Sequence, residues 1–266
     1  RDVIEKSKCL LRSFKPSIGE HRPMHAQADV AAEAIAAWSL ELHAALHDRI
    51  PSLRTTFAAV HSDGQLRYAV VDDAMPSALM DGLDAELKGR DLCAMLESCS
   101  LPKGDPPNDY SCGLQLHHPT NFMRICQSIP LSPFAQAAHL LLRSEAFVSI
   151  LRELMGVDVL PSLEHSGGSY FETLPCGYIG LHEDASRLPL GTLDPQEDNR
   201  VARANVLLYL NGLSDNSTGN LEFWSIDPST GLPGKPKAVV APRRNRLVIF
   251  DTLDGVHGMP WPLRGV

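Results

Sequence analysis

The sequence predicts an α+β chain whose helices come first and whose sheet-forming half closes as a double-sheet barrel or jelly roll. Helical spacing of apolar residues recurs as far as Met155 and then stops. After Gly156, short strand-like runs follow one another, separated by Gly, Pro, Asn and Asp, with no helical period between them. With 266 residues, 44% hydrophobic and 21% charged, the chain has the apolar mass for one or two packed domains.

The first 26 residues are weakly patterned. Over residues 27–50 the apolar positions Val30, Ala31, Ile35, Trp38, Leu42 and Leu46 predict one helix, which Pro51 should stop. Tyr68-Ala-Val-Val reads as a strand and Asp72-Asp-Ala-Met-Pro as a turn, after which Ser77 opens a helix running to Leu87. The stretch 88–133 is poor in pattern, least structured at Lys103-Gly-Asp-Pro-Pro-Asn-Asp. Two helices are expected at 134–143 and 146–155, with Gly156 as the C-terminal cap of the second. Strands are expected at 157–160, 168–171, 177–182, 204–209, 221–224, 237–240 and 247–250. The division follows: residues 1–66 form a helical N-terminal extension, and 67–266 the β-rich domain with helical support.

Charge narrows the function. Lys and Arg number 24 against 32 Asp and Glu, a net of −8, the wrong sign for a nucleic-acid reader. No 18-residue apolar run exists, so no membrane span is expected. Six cysteines without a C-x-x-C pair fit reduced thiols and a cytoplasmic setting better than a disulfide scaffold. A chain opening on Arg1 is expected to lack its natural start, which leaves a cleaved leader open either way.

Eleven histidines invite a search for metal ligands. His43 and His47 share a helix face at i and i+4, but Ala44 stands where a zincin motif needs Glu, so a solvated face is expected. His21, His25, His61, His117, His118, His139 and His165 have no acidic neighbour at a recognisable spacing and read as surface or helix-boundary residues. His182 differs. It ends the strand Gly177-Tyr-Ile-Gly-Leu-His, and Asp184 follows at i+2, on the same face, with Glu183 pointing away. His257 follows a second strong strand, Arg246-Leu-Val-Ile-Phe-Asp, through a short turn. Two histidines and a carboxylate make the facial triad of a non-haem iron(II) centre, three positions of an octahedron with three left open.

The surrounding segments resemble the iron(II)- and 2-oxoglutarate-dependent oxygenase superfamily, in its prolyl-hydroxylase-like branch. The resemblance runs from about residue 67 to the end. Five pieces carry it, in the family's order: Tyr68-Ala-Val-Val-Asp-Asp-Ala-Met-Pro; Leu142-Arg-Ser-Glu-Ala-Phe-Val with the run to Leu160; Gly167-Gly-Ser-Tyr and Gly177-Tyr-Ile-Gly-Leu-His-Glu-Asp; Ala204-Asn-Val-Leu-Leu-Tyr-Leu-Asn with Gly219-Asn-Leu-Glu-Phe-Trp; and Pro242-Arg-Arg-Asn-Arg-Leu-Val-Ile-Phe-Asp with His257-Gly-Met-Pro.

The resemblance implies a double-stranded β-helix, a jelly-roll or cupin-like barrel, with Fe(II) held by His182, Asp184 and His257. It implies 2-oxoglutarate as co-substrate, contacted from Asn205 and Tyr209, which alternate onto one face with Leu207, and from Tyr170. A cation should pair with the distal carboxylate, as Arg does bidentately. Arg264 is the one Arg or Lys after His257, and either it or a residue beyond Val266 takes this role. The retained Asp184 favours hydroxylation, or desaturation or ring chemistry from the same oxidant, over halogenation, in which a small residue replaces the carboxylate. The residues between the ligand strand and the next strand, 185–201, read as a lid or as a surface insertion. Trp224 and Trp261 are candidates for the substrate entrance, with core packing an equal account of Trp224.

The implied activity is hydroxylation, with O2, of an unactivated C–H bond in a small-molecule substrate (an amino acid derivative or secondary metabolite), releasing succinate and CO2. The rival from another class is a non-catalytic ligand- or partner-binding barrel with a vestigial or structural metal site. A zinc hydrolase on the same ligands lacks a general base beyond the averted Glu183. For residues 1–66 three uses stand open: packing on the barrel, covering the site, or forming a homodimer surface.

Overall fold

The computed structural model describes residues 32–59, 67–87, 120–126, 133–161, 170–182, 204–212, 219–227, 229–230, 232–252 and 256–261. Helix α1 spans Ala32–His47 and helix α2 Ile50–Ala59. The single helix expected through Ile50 is therefore two. Pro51 does not end structure; it sits in the first turn of α2, where its missing N–H costs no helical hydrogen bond. Leu42, Leu46, Ile50 and Leu53 fall on one buried stripe across the break.

Strand β1 (Tyr68–Val71) and helix α3 (Ser77–Leu87) form where the sequence puts them. Helix α4 covers Pro133–Leu142 and helix α5 Glu145–Met155. A Cβ at Gly82 would lie 2.2 Å from the Phe134 ring, so the glycine is what admits α4 against α3. Glu86, at the end of α3, accepts hydrogen bonds from Phe134 N (2.9 Å) and Ala135 N (3.1 Å), satisfying the first amides of α4 from another helix. Ser144 caps α5 by accepting from Phe147 N at 3.2 Å, and Gly156 ends it in the left-handed region at φ 70°.

Beyond β1 the strands are β2 (Thr120–Cys126), β3 (Tyr170–His182), β4 (Ala204–Tyr209), β5 (Leu221–Ile226), β6 (Pro233–Val240), β7 (Arg246–Asp251) and β8 (Val256–Met259). They build two antiparallel sheets, ordered β1-β7-β4 and β2-β3-β8-β5-β6. The strand expected at 157–160 does not form; that segment runs without regular structure after Gly156, its Val159 carbonyl accepting from Arg152 Nε at 3.1 Å. The expected run at 177–182 joins residues 170–171 of the run before it in one strand, because β2 pairs along its length with a register shift that absorbs the stretch around Pro175; residues 168–169 lie outside the described residues.

Strand β7 divides the interior. Leu247 and Ile249 pack with Leu42, Leu46, Leu79, Met80, Leu141 and Ile150 under the helices. Val248 and Phe250 point the other way, into a second cluster with Leu221, Phe223 and Val240 of the larger sheet. The layers are thus helices, three-stranded sheet and five-stranded sheet. Among the described residues no strand pairing joins the two sheets, so the architecture is mixed helix and antiparallel sheet, without the closed barrel the sequence led us to expect.

Candidate metal centre

His182 and His257 stand directly opposite each other where β3 pairs with β8. Opposed residues of an antiparallel pair project to the same face, and the two imidazoles meet there with centroids 4.5 Å apart at 51°. His182 Nδ1 lies 2.8 Å from the Gly180 carbonyl oxygen. An N–H at Nδ1 donates to that oxygen, which leaves the Nε2 lone pair for a ligand.

His257 is 4% exposed and leans on aromatics from both sheets. Its ring meets Phe250 edge-on at 4.6 Å and Phe223 at 6.1 Å; Phe223 in turn stacks on Tyr68 at 5.1 Å. Phe223 opposes His257 in the β5–β8 register, so both face the space between the sheets. The histidine pair therefore has an apolar floor, where electrostatic interactions are stronger than in water.

Asn205 opposes Phe250 across β4 and β7 and is partly buried. Leu207 and Tyr209 pack into the same inter-sheet cluster, so the alternation expected for β4 is present. Burial pushes the Tyr209 hydroxyl up to about 12, with the Arg246 guanidinium pulling the other way. Arg246 opposes Tyr209 in register. Sequence reading gave Arg246 no role; strand alternation puts it on the face of Phe250, but only the β4–β7 register brings it opposite Tyr209.

Tyr170 pairs with Cys126 at the start of β3. Asp184, Arg264, Glu183 and the segment 185–201 lie outside the described residues, as do His21, His25, His61, His117, His118 and His165. Within the described residues no cluster of three His, Cys, Asp or Glu forms. His43 and His47 stack on α1 at 5.5 Å; His47 is 59% exposed, as expected of a solvated face, whereas His43 is partly buried. His139, expected at the surface or a helix boundary, lies partly buried in the last turn of α4, and desolvation, aided by the Arg143 charge, lowers its pKa to about 4. Trp224 is partly buried and donates from Nε1 to Glu222 Oε2 at 2.9 Å, whereas Trp261 is 51% exposed. No described helix is long and apolar enough to cross a membrane.

No protein-family model matches the chain, and no curated protein sequence does. Among solved structures, a prolyl 4-hydroxylase from Phytophthora capsici superposes with a TM-score of 0.51 at 15% identity, over 94% of this chain. The fold resembles that of this prolyl 4-hydroxylase. This chain spans 65% of the Phytophthora capsici chain. A Pseudomonas putida prolyl-4-hydroxylase aligns at 16% identity and TM-score 0.47, over 84% of this chain and 91% of its own. A prolyl hydroxylase from Trichoplax adhaerens, solved with a hypoxia inducible factor oxygen degradation domain peptide fragment, aligns at 13% and 0.43, over 83% and 87%.

Proposed function

We propose that this chain is an iron(II)- and 2-oxoglutarate-dependent dioxygenase that hydroxylates an unactivated C–H bond of a small molecule. The observation carrying the reading is the register pairing of His182 with His257, one imidazole already fixed through Nδ1 to a backbone carbonyl. That donor set suits a divalent transition metal. His182, His257 and Asp184, two residues beyond the end of β3, would hold it. Bound iron(II) would supply the oxidising power, drawn from O2 and the conversion of 2-oxoglutarate to succinate and CO2.

The chain's own residues have simpler tasks. Phe250 and Phe223 keep water from the buried side of His257. Tyr209 holds its proton far above neutral pH and so can donate to a carboxylate. Asn205 on the same strand face is the second polar group for the co-substrate, with Tyr170 and Arg264 as further contacts. The two facing sheets are read as a double-stranded β-helix, with residues 1–66 as its helical extension and 67–266 as the oxygenase domain.

The test is succinate release from 2-oxoglutarate with added iron(II), under a panel of amino acid derivatives, metabolites and proline-containing peptides. Stimulation by a small molecule supports the reading. Stimulation by peptides alone transfers it to a peptide hydroxylase, and no turnover with any addition favours the non-catalytic binding barrel.

A further inference from the structure

Helix α1 is apolar on two sides, and the core uses one of them. Leu42 and Leu46 are buried there, with Ile35 and Trp38 packed alongside. On the other side Glu33, Ala37, Leu40, Ala44 and His47 are all exposed, Leu40 by 52%. They follow one another at alternating intervals of four and three residues, which keeps them in one line, as along the seam of paired helices. The helix contains no Lys or Arg, and exposed Glu33, Glu41 and the adjoining Asp48 make this side acidic.

His43 and His47 stand at the C-terminal end of that line. Their rings lie 5.5 Å apart at 20°. Histidines at i and i+4 of a helix can share one divalent ion. Two imidazoles on one tetrahedral zinc have ring centroids about 5 Å apart, so this pair needs little movement. Asp48 Oδ1 lies 4.0 Å from His47 Nδ1; a carboxylate there draws the ring proton to Nδ1 and leaves Nε2 for a metal. Two imidazoles fill half of a tetrahedron, and among the described residues no third His, Cys, Asp or Glu completes the group.

A second copy of the helix supplies what is missing. Glu33 lies seven residues before Leu40, and His47 seven after it. Antiparallel pairing about a twofold axis at Leu40 therefore sets Glu33 of one copy beside His47 of the other, twice over. At 1.5 Å per residue both lie about 10 Å along the helix from that axis. The same pairing sets Ala37 opposite His43, where a small side chain leaves room for the ring. We propose that His43 and His47 bind zinc or a similar divalent transition ion together with Glu33 of a second copy, so that two ions join two chains along α1. Two imidazoles, a carboxylate and water are a ligand set that zinc accepts. Stable interfaces bury about 1,200–2,000 Å², more than one pair of four-turn helices offers, and two acidic faces repel; the pairing therefore depends on the ions. Ala44 gives the site no general base, so the ions are structural. The site belongs to the helical layer and is independent of the oxygenase reading.

The test is sedimentation velocity of the full chain in EDTA and with Zn(II) added. The mass should double with zinc and return to that of one chain in EDTA. His47→Ala and Glu33→Gln should each weaken the zinc-dependent pairing about tenfold or more, and both positions are exposed, so neither change threatens folding. Leu40→Glu keeps all three ligands and should abolish pairing through the seam. His182→Ala should pair as the parent does, which separates this zinc from the sheet centre. Pairing that persists in EDTA, survives His47→Ala or is lost in His182→Ala would overturn the proposal. Zinc held by His43 and His47 at the mass of a single chain would overturn it too.

Discussion

Gly258 and His182 are linked through one oxygen atom. A Cβ at position 258 would come within 2.7 Å of the Gly180 carbonyl oxygen, the same oxygen that lies 2.8 Å from His182 Nδ1. The missing side chain on β8 thus allows the close approach of β3 that orients the imidazole.

Gly258→Ala should therefore disturb the histidine without touching it. Backbone atoms are the obstacle, so β3 or β8 must move, at a cost of about 1–3 kcal/mol in stability. Affinity for Mn(II) should fall about tenfold or more as His182 loses its orientation. Chemical denaturation and metal titration check the two effects, and an unchanged metal affinity would show that the Gly180 carbonyl does not position His182.

His182→Ala and His257→Ala should each abolish iron-dependent succinate release while circular dichroism keeps the parent's helical signal. His43→Ala and His47→Ala should leave turnover intact and stability within about 0.5 kcal/mol, because their stacked rings sit on a largely solvated face. Loss of turnover on changing either helix histidine would move the centre to α1.

His139 predicts an acid-sensitive component of stability. Its pKa falls from 6.5 to about 4 on folding, through burial first and the Arg143 charge second. Between those values the unfolded chain takes up a proton that the folded chain refuses, so stability is lost as pH falls from about 6.5 toward 4. Urea unfolding at several pH values should show a shallower decline for His139→Gln. Parallel curves would mean that the imidazole protonates equally in both states.

Glu86 should matter as a cap. Removing its carboxylate in Glu86→Ala leaves the Phe134 and Ala135 amides without their acceptor and should cost about 1–2 kcal/mol, with Glu86→Gln intermediate. Thermal unfolding measures this, and an Ala variant as stable as the parent would show that water replaces the carboxylate without loss.

Much of this architecture was legible in the sequence where local chemistry decides the structure. Helices α3, α4 and α5 appear at their expected places because their apolar period and their caps, Ser144 and Gly156 among them, are local signals. Strand β4 showed its alternation for the same reason. Strand β8 is four residues long and includes Gly258, too short for any period, and only pairing with β3 and β5 makes it a strand. Strand β2 lay in a stretch too irregular to read, and α2 was hidden because Pro51 terminates a helix or begins one with equal ease. At the site, the spacing around His182 and His257 was visible, whereas Arg246 depends on a register that no local pattern encodes.

Strand β7 is flanked by β1 on one edge and β4 on the other, and it sends side chains into both apolar clusters. Its amides should exchange with deuterium last of all, at the rate set by global unfolding. Local opening of the helical layer cannot then spare the sheet interface, since Leu247 and Ile249 adjoin Val248 and Phe250 on one backbone. The described helices and sheets should then melt together, and a destabilised helix far from the histidines should register as a loss of metal affinity.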